Sequence, residues 1–186
     1  MDVRTMRADA VASVTRILDA ARRVFQSGDG TGTLDKVAQE AGVGIATLYR
    51  HFPNRQSLAA GVYQRLFDQE IEPYLLQVEA GDGSHAELLA LAERVVTVSR
   101  RERALIASLG DLGGTTAELL RPHIAGFEAF VARGQAAGTL RPELTGADVP
   151  QLLAMLAAAG LVLDADEAGR RRYLHLLLDG LRPQLG

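Results

Sequence analysis

The chain has 186 residues, and 47% of them are hydrophobic, which is enough for one large domain or two small ones with a buried core. It contains no cysteine, which excludes disulfides, cysteine-ligated zinc and thiol catalysis. The formal net charge of −3 is unevenly distributed, because residues 1–55 carry +2 and residues 56–186 carry −5. A basic N-terminal part on an acidic body is typical of a protein that touches phosphates with one end only.

Three helices are predicted in the first part of the chain. Apolar residues recur at helical spacing over 8–27, and SGDGTG (27–32) ends this first helix. The glycines of that tract lack the strand and the Gly-Lys-Ser/Thr ending of a phosphate-binding loop, so we interpret them as a turn. Thr33 is a good N-cap for a second helix, which the glycines of 42–44 end. The third helix, 45–52, cannot continue past Pro53.

The spacing of small and apolar residues over 33–58 predicts a helix-turn-helix. Ala38 allows two helices to cross closely, and Gly42 can take the left-handed conformation that closes the second helix. Val37, Ala41, Val43 and Leu48 occupy positions that such a pair of helices must bury. This arrangement presents the third helix to the major groove of DNA.

The remainder of the chain is also predicted to be helical. Asn54 can cap a long helix to about residue 80, which Pro73 should kink or end. Further helices are expected over 87–99, 102–109, 116–137 (interrupted by Pro122), 147–163 and 167–181, with a loop over 110–115. We therefore predict an all-α fold of about nine helices. A three-helix DNA-binding domain would span 1–55, and a helical ligand-binding and dimerisation domain 56–186.

The block from Thr33 to Leu58 resembles the N-terminal domain of the TetR family of bacterial transcriptional regulators. The matching features are T-x-x-x-V-A-x-x-A-G-V over 33–43, T-L-Y-x-H-F over 47–52, and Asn54-Arg55 ahead of Leu58. With Phe25 in the first helix, the match covers about 50 residues. The resemblance implies an all-helical homodimer that binds palindromic operator DNA, represses transcription, and leaves the DNA when a small molecule binds.

The resemblance also implies which residues contact DNA. Thr33, Tyr49 and Arg55 match positions that hold the DNA backbone, and Thr47 and His51 match such positions in several members. Base reading would fall to Gly44, Ile45, Ala46 and Arg50. Since glycine, isoleucine and alanine offer no side-chain hydrogen bond, we expect thymine methyls, Arg50 and DNA shape to carry the specificity. Arg4 and Arg7 would form a flexible basic arm that enters the minor groove or merely solubilises the chain.

The last two helices and the middle of the chain supply the other candidate sites. The stretch 152–163 is apolar almost all the way round and must be buried on all sides, which suggests a homodimer interface and, alternatively, a monomer core. The predicted interface residues are Leu152, Leu153, Leu156, Ala157, Gly160, Leu174, Leu177, Leu178 and Leu181. An effector pocket is expected among the helices of 54–137, and its candidate lining residues are Tyr63, Phe67, Tyr74, His123, Phe127, Phe130 and Arg133.

Other functions are weakly supported by the sequence. The four histidines are scattered without metal-ligand spacing, and no catalytic constellation stands out, so we expect no metal, no cofactor and no enzyme activity. No apolar stretch is long enough to span a bilayer, so we expect a soluble cytoplasmic protein. Two alternatives remain: a ligand-binding, interaction or even enzymatic module whose DNA reader is vestigial, and a transcriptional activator.

Overall fold

A computed structural model describes residues 3–27, 33–162 and 164–183 of the chain. The regular structure in these ranges is helical throughout, which confirms the predicted all-α fold. The helices are α1 (Val3–Gln26), α2 (Leu34–Ala41), α3 (Ile45–His51), α4 (Arg55–Glu70), α5 (Glu72–Ala80), α6 (His85–Arg101), α7 (Arg103–Ile106), α8 (Leu112–Leu120), α9 (Ile124–Ala136), α10 (Asp148–Val162) and α11 (Glu167–Asp179). No helix in the described ranges is long and apolar enough to cross a membrane.

Proline explains why the long helices expected from the sequence are each divided. α4 and α5 meet at Ile71, and Pro73 lies in the first turn of α5, where its missing N–H costs no hydrogen bond. Pro122 lies in a short 3-10 turn, Arg121–His123, between α8 and α9. The loop expected over 110–115 is shorter than predicted. Gly110 turns the chain with φ +77°, and α8 then begins at Leu112, because tertiary packing overrides the weak helix propensity of its glycines.

The chain folds into two compact units. The first comprises Met1–Arg65 with Glu102–Leu112, and the second comprises Leu66–Arg101 with Gly113–Gly186. α4 therefore contributes to both units. The division into domains at residues 55 and 56 stays a prediction, since it concerns which parts of the chain fold independently.

Among the described residues of the second unit, two hydrophobic clusters form the core. The larger one is centred on the buried rings of Phe127 and Phe130, and Leu75 and Leu91 pack with them. The smaller one joins α6 to α10 and α11, and its members are Ala92, Val96, Leu156, Leu174 and Leu178. α6 thus lies at the centre of this unit, with the last two helices packed along it.

Candidate nucleic-acid interface

The start of α2 is capped as the sequence predicts. Thr33 has extended backbone, and its hydroxyl oxygen accepts a hydrogen bond of 3.2 Å from the N–H of Lys36. The side chain of Thr33 is exposed at this end of the helix. A helix N-terminus carries partial positive charge and N–H donors, so this corner can receive a phosphate group.

The turn between α2 and α3 depends on one glycine. Gly42 has φ 63° and ψ 37°, the left-handed conformation that residues with a Cβ adopt only with strain. Its N–H and the N–H of Val43 donate to the carbonyls of Gln39 (3.1 Å) and Ala38 (3.0 Å), which closes the end of α2. The turn fixes the angle at which α3 leaves α2.

α3 is anchored through its buried face. Leu48 is fully buried, and Ala38 on α2 is only 3% exposed. Phe52, which ends α3, is half-buried beside Gly61 of α4, where an added Cβ would lie 2.9 Å from the Phe52 ring. Gly61 therefore leaves room for this aromatic anchor, a role that the helical periodicity of α4 could not reveal.

The rest of the α3 surface is largely open. The side chains of Ile45 and Tyr49 are 38% and 48% exposed, and Ala46 and Arg50 are exposed beside them. Each pair is four residues apart and therefore lies on one side of the helix. Gly44 is exposed as its N-cap, whereas the side chains of Thr47 and His51 are half-buried at the edges. An apolar group, a phenol and a guanidinium are thus presented together, a set that can contact thymine methyls, base edges and phosphates.

Arg55, the first residue of α4, contacts both a ring and a hydroxyl group of the first unit. Its guanidinium carbon lies 4.6 Å from the centroid of the Phe25 ring, and its Nη2 donates to the Ser108 hydroxyl oxygen at 3.4 Å. A guanidinium stacked on a ring can still donate to a phosphate in its own plane. Asn54 caps this helix, since its side-chain oxygen accepts from the N–H of Ser57 at 2.8 Å. Thr33, α3 and Arg55 all belong to the first unit.

The predicted basic arm is not an extended segment. α1 begins at Val3, so Arg4 and Arg7 lie in its first turns rather than on a flexible arm. Their side chains, like the tract 28–32, lie outside the described part of the chain. The predicted first helix, 8–27, starts after both arginines, although Val3 and Met6 already follow its apolar spacing.

The predicted effector-pocket residues divide between the two units. Tyr63 lies in the first unit, whereas the other six lie in the second. Phe67, Phe127 and Phe130 are buried in the larger hydrophobic cluster, and Tyr74 packs partly against it. His123 Nδ1 is 2.6 Å from Glu79 Oε1, and Arg133 donates to the Glu79 carbonyl at 2.7 Å. The structure thus joins the two predicted polar residues through Glu79, which the sequence analysis did not identify.

Most of the predicted dimer residues are buried within the chain itself. Leu153, Leu156, Ala157, Leu174 and Leu178 are at most 7% exposed, Gly160 is buried, and Leu152 and Leu181 are partly buried against the core clusters. The prediction that these side chains meet a second copy needs correction, because α6 covers this side of α10 and α11. Gly160 allows a close approach of α10 to Val96 of α6. Among the predicted residues, Leu177 is exposed, at 61%.

The exposed apolar side chains of α10 and α11 lie on their other side. Met155, Tyr173 and Leu176 are 66%, 46% and 61% exposed, alongside Leu177. The sequence could not separate these residues from their buried neighbours, since both helices are apolar over much of their surface.

In the described ranges, no group of three or more histidine or acidic side chains is placed to hold a metal ion.

α2 and α3 form a helix-turn-helix, and α3, its second helix, is packed on one side and exposed on the other. This arrangement defines a class of DNA-binding transcriptional regulators. Comparison with known proteins identifies the family. Residues 17–62 match the bacterial regulatory proteins of the tetR family, and residues 83–183, more than half of the chain, match the SbtR-like transcriptional regulator C-terminal domain. The chain belongs to the TetR family of bacterial regulatory proteins.

Individual relatives share either the N-terminal part or the whole fold. The HTH-type transcriptional regulator SAB2452 of Staphylococcus aureus is 38% identical over 61 residues, 32% of this chain and 33% of that protein. The match thus spans about a third of the length of this curated relative. A TetR regulator from Mycobacterium vanbaalenii has 26% identity and a TM-score of 0.60, covering 95% of this chain and 99% of that chain. RolR, solved with resorcinol, has the same fold, with a TM-score of 0.72 at 17% identity over 96% and 91% of the two chains.

The exposed position of Ile45 leads to a test of base reading. We expect Ile45→Ala to weaken binding to a preferred DNA site by about tenfold while leaving binding to unrelated DNA nearly unchanged, because an apolar contact with a thymine methyl exists only at the right sequence. Binding titrations on the two duplexes would measure this, and Leu76→Ala, the truncation of an exposed leucine on α5, is the matched control. Equal losses on both duplexes would show that Ile45 does not read bases.

Proposed function

We propose that this protein is a transcriptional repressor that binds a palindromic DNA operator as a homodimer and leaves it when a small molecule binds. One observation carries the proposal: α3 is anchored by a fully buried Leu48 while Ile45, Tyr49 and Arg50 of the same helix are exposed. A helix of seven residues would not be stable on its own, so α3 depends on this packing. The packing leaves its exposed side chains available to bind DNA.

The contacts with DNA follow from the positions of the exposed groups. In this proposal Thr33 and the N-terminus of α2 receive one phosphate, and Tyr49 and Arg55 donate to others. Thr47 and His51, at the edges of α3, add backbone contacts. Base reading falls to Arg50 and the first turn of α3, Gly44, Ile45 and Ala46. With few hydrogen-bonding groups in that turn, the preferred site would be defined by thymine methyls and by DNA shape.

A second copy of the chain is the proposed partner of the exposed face on α10 and α11. Met155, Tyr173, Leu176 and Leu177 are large apolar side chains that leave much of their surface in water. Tyr173 and Leu177 of α11 line one apolar pocket together with Leu156 and Ala159 of α10, so the two helices share a surface. Exposed apolar surfaces mark association sites, and a face formed by two helices of one chain can pair with itself about a two-fold axis. The two reading helices would then meet DNA about 34–36 Å apart, which requires a palindromic site.

A small-molecule effector is proposed to bind in the second unit. The His123 ring lies 6.2 Å from the ring of Phe67, a member of the aromatic cluster with Phe127 and Phe130, and Glu79 joins His123 to Arg133. Apolar walls with a few convergent polar groups are what small-molecule sites generally provide. RolR bound to resorcinol supports the capacity of this fold to hold a small ligand. The chain passes between the two units at residues 65–66, 101–102 and 112–113, which gives three covalent routes for a response to reach the DNA-binding unit.

The alternative of a vestigial reader is less well supported. A chain that no longer bound DNA would be free to lose the cap at Thr33, the left-handed Gly42 and the exposed Arg50, and all three are present. Activation in place of repression would use the same DNA contacts. A reporter gene placed behind the preferred site separates these two, since a repressor lowers its expression and an activator raises it.

Selection of bound sequences from a random duplex pool tests the proposed function. We expect the full chain to enrich a palindrome whose half-sites are one helical turn apart, bound by one dimer. A variant with Tyr49→Ala and Arg50→Ala, changed only on the exposed face of α3, should enrich no sequence while remaining folded. A folded wild-type dimer that also enriches nothing would contradict the proposal.

A further inference from the structure

A short segment from the middle of the chain belongs to the DNA-binding unit. Residues 102–112, here called the α7 segment, lie in the first unit, although α6 before them and most of α8 after them lie in the second. Leu105, Ile106 and Leu109 of this segment are at most 6% exposed. The proposed DNA contacts do not include any residue of the α7 segment, so its place in this unit calls for another role.

The beginning of the α7 segment is fixed by a buried carboxylate. Glu102 is 1% exposed, and its Oε1 accepts from Arg22 Nη2 at 2.7 Å. The side-chain amide of Gln26 donates to both carboxylate oxygens at 3.1 Å. Arg22 and Gln26 are one turn apart on α1. A buried carboxylate is tolerated only when it is paired and hydrogen-bonded, so these contacts hold the start of the segment in one place on α1.

The other end of the α7 segment reaches the residue proposed to hold a DNA phosphate. The Ser108 hydroxyl donates to the Ala104 carbonyl at 3.1 Å, which leaves its oxygen directed to accept from Arg55 at 3.4 Å. Gly110, with φ +77°, lies against Gln56, since an added Cβ would be 2.5 Å from the Gln56 amide nitrogen. The segment therefore contacts the first two residues of α4.

We propose that Ser108 and Glu102 are positioning residues for DNA binding: Glu102 fixes the α7 segment on α1, and Ser108 then holds Arg55 over the Phe25 ring. This inference rests on the proposed function. A guanidinium has several N–H donors, so one that is held by Ser108 can also donate to a phosphate. An arginine that is already ordered loses less side-chain freedom when DNA binds, which raises affinity without a new contact.

A double-mutant cycle in the full chain tests the role of Ser108. The probe is a mixed-sequence DNA duplex at low salt, because phosphate contacts do not require the operator. We expect Ser108→Ala to weaken binding about two- to fivefold, as for an exposed hydrogen bond to a charged group, and to have no further effect when Arg55 is already alanine. The inference would be overturned if the losses of DNA affinity from Ser108→Ala and Arg55→Ala were additive in the double variant. It would also be overturned if Ser108→Ala alone caused no loss of affinity.

A second cycle tests the role of Glu102. Glu102→Gln keeps the size of the side chain and removes its charge, and we expect a similar loss of DNA affinity that also vanishes in the Arg55→Ala background. Glu118→Gln, at an exposed ion pair with Arg121 in the second unit, is the matched control and should leave affinity unchanged. A lower melting temperature with unchanged affinity of the folded protein would overturn the role of Glu102. Should Glu102→Gln fail to fold, the Ser108 cycle decides the inference.

The wild type and Arg55→Ala separate this inference from the proposed function. No binding of the duplex by the folded wild type would overturn both. Binding by the wild type that weakens in Arg55→Ala, without coupling to Ser108, would overturn the positioning role alone.

Discussion

Replacing Leu176 and Leu177 together with glutamate should give a folded monomer that binds its preferred DNA site about a hundredfold more weakly than the wild type. Both side chains are 61% exposed in the single chain, so carboxylates at these positions remain in water in the monomer and cost little there. In the proposed dimer they would be buried on a two-fold axis, next to their own copies and without partners. A monomer has only one reading helix, so it loses the gain in DNA affinity that comes from binding two linked half-sites at once.

Sedimentation equilibrium and DNA titration of the same samples would measure this effect. Leu76→Glu is the matched control, since Leu76 is also an exposed leucine, at 53%, but lies on α5. The control should stay dimeric and bind DNA as the wild type does. A dimeric double-glutamate variant with full DNA affinity would place the interface elsewhere.

Leu48→Ala should destabilise the first unit by about 2–5 kcal/mol, the range for removing a large side chain from a packed core. Leu48 is 0% exposed and is the side chain through which α3 is anchored on α2. Urea unfolding followed by circular dichroism measures the free energy of unfolding.

Replacing the adjacent residue, Tyr49, should affect DNA affinity rather than stability. Tyr49→Ala removes an exposed side chain, so we expect a stability change within about 0.5 kcal/mol together with a clear loss of DNA affinity. A Leu48→Ala variant as stable as the wild type would show that α3 is held by some other contact.

Local chemistry made the helix-turn-helix predictable from the sequence. Four of its features each depend on residues within three or four positions of one another. They are the cap at Thr33, the left-handed Gly42, the end of α3 before Pro53 and the cap at Asn54. The structure shows all of them where they were predicted. The breaks at Pro73 and Pro122 followed from the same kind of argument, because proline lacks an N–H at any position in a helix.

The α7 segment shows what the sequence could not provide. The sequence predicts that Glu102 is an ordinary exposed charge near a helix end. In the structure it is buried and paired with Arg22, which lies 80 positions earlier in the chain. Only the tertiary fold brings the two together. The same long-range packing brings Ser108 to Arg55, 53 positions earlier in the chain.

The sequence could not divide the predicted dimer face into its buried and exposed sides, for a different reason. A helix that is apolar on most sides shows that it must be buried, but its periodicity does not show what covers each side. In α10 the buried side, with Leu153 and Leu156, packs within the chain, while Met155 remains exposed. Neighbouring apolar residues of one helix therefore have opposite roles, and only the packing on α6 assigns them.

The salt dependence of DNA binding tests the central proposal, that the exposed face around α3 and Arg55 binds DNA phosphates. The equilibrium constant of the full chain is measured on its selected duplex over a range of salt concentrations. We expect its logarithm to fall linearly and steeply with the logarithm of the salt concentration, and the slope to decrease by about one in Arg55→Ala. Binding that does not depend on salt, or a slope that Arg55→Ala leaves unchanged, would contradict the proposed interface.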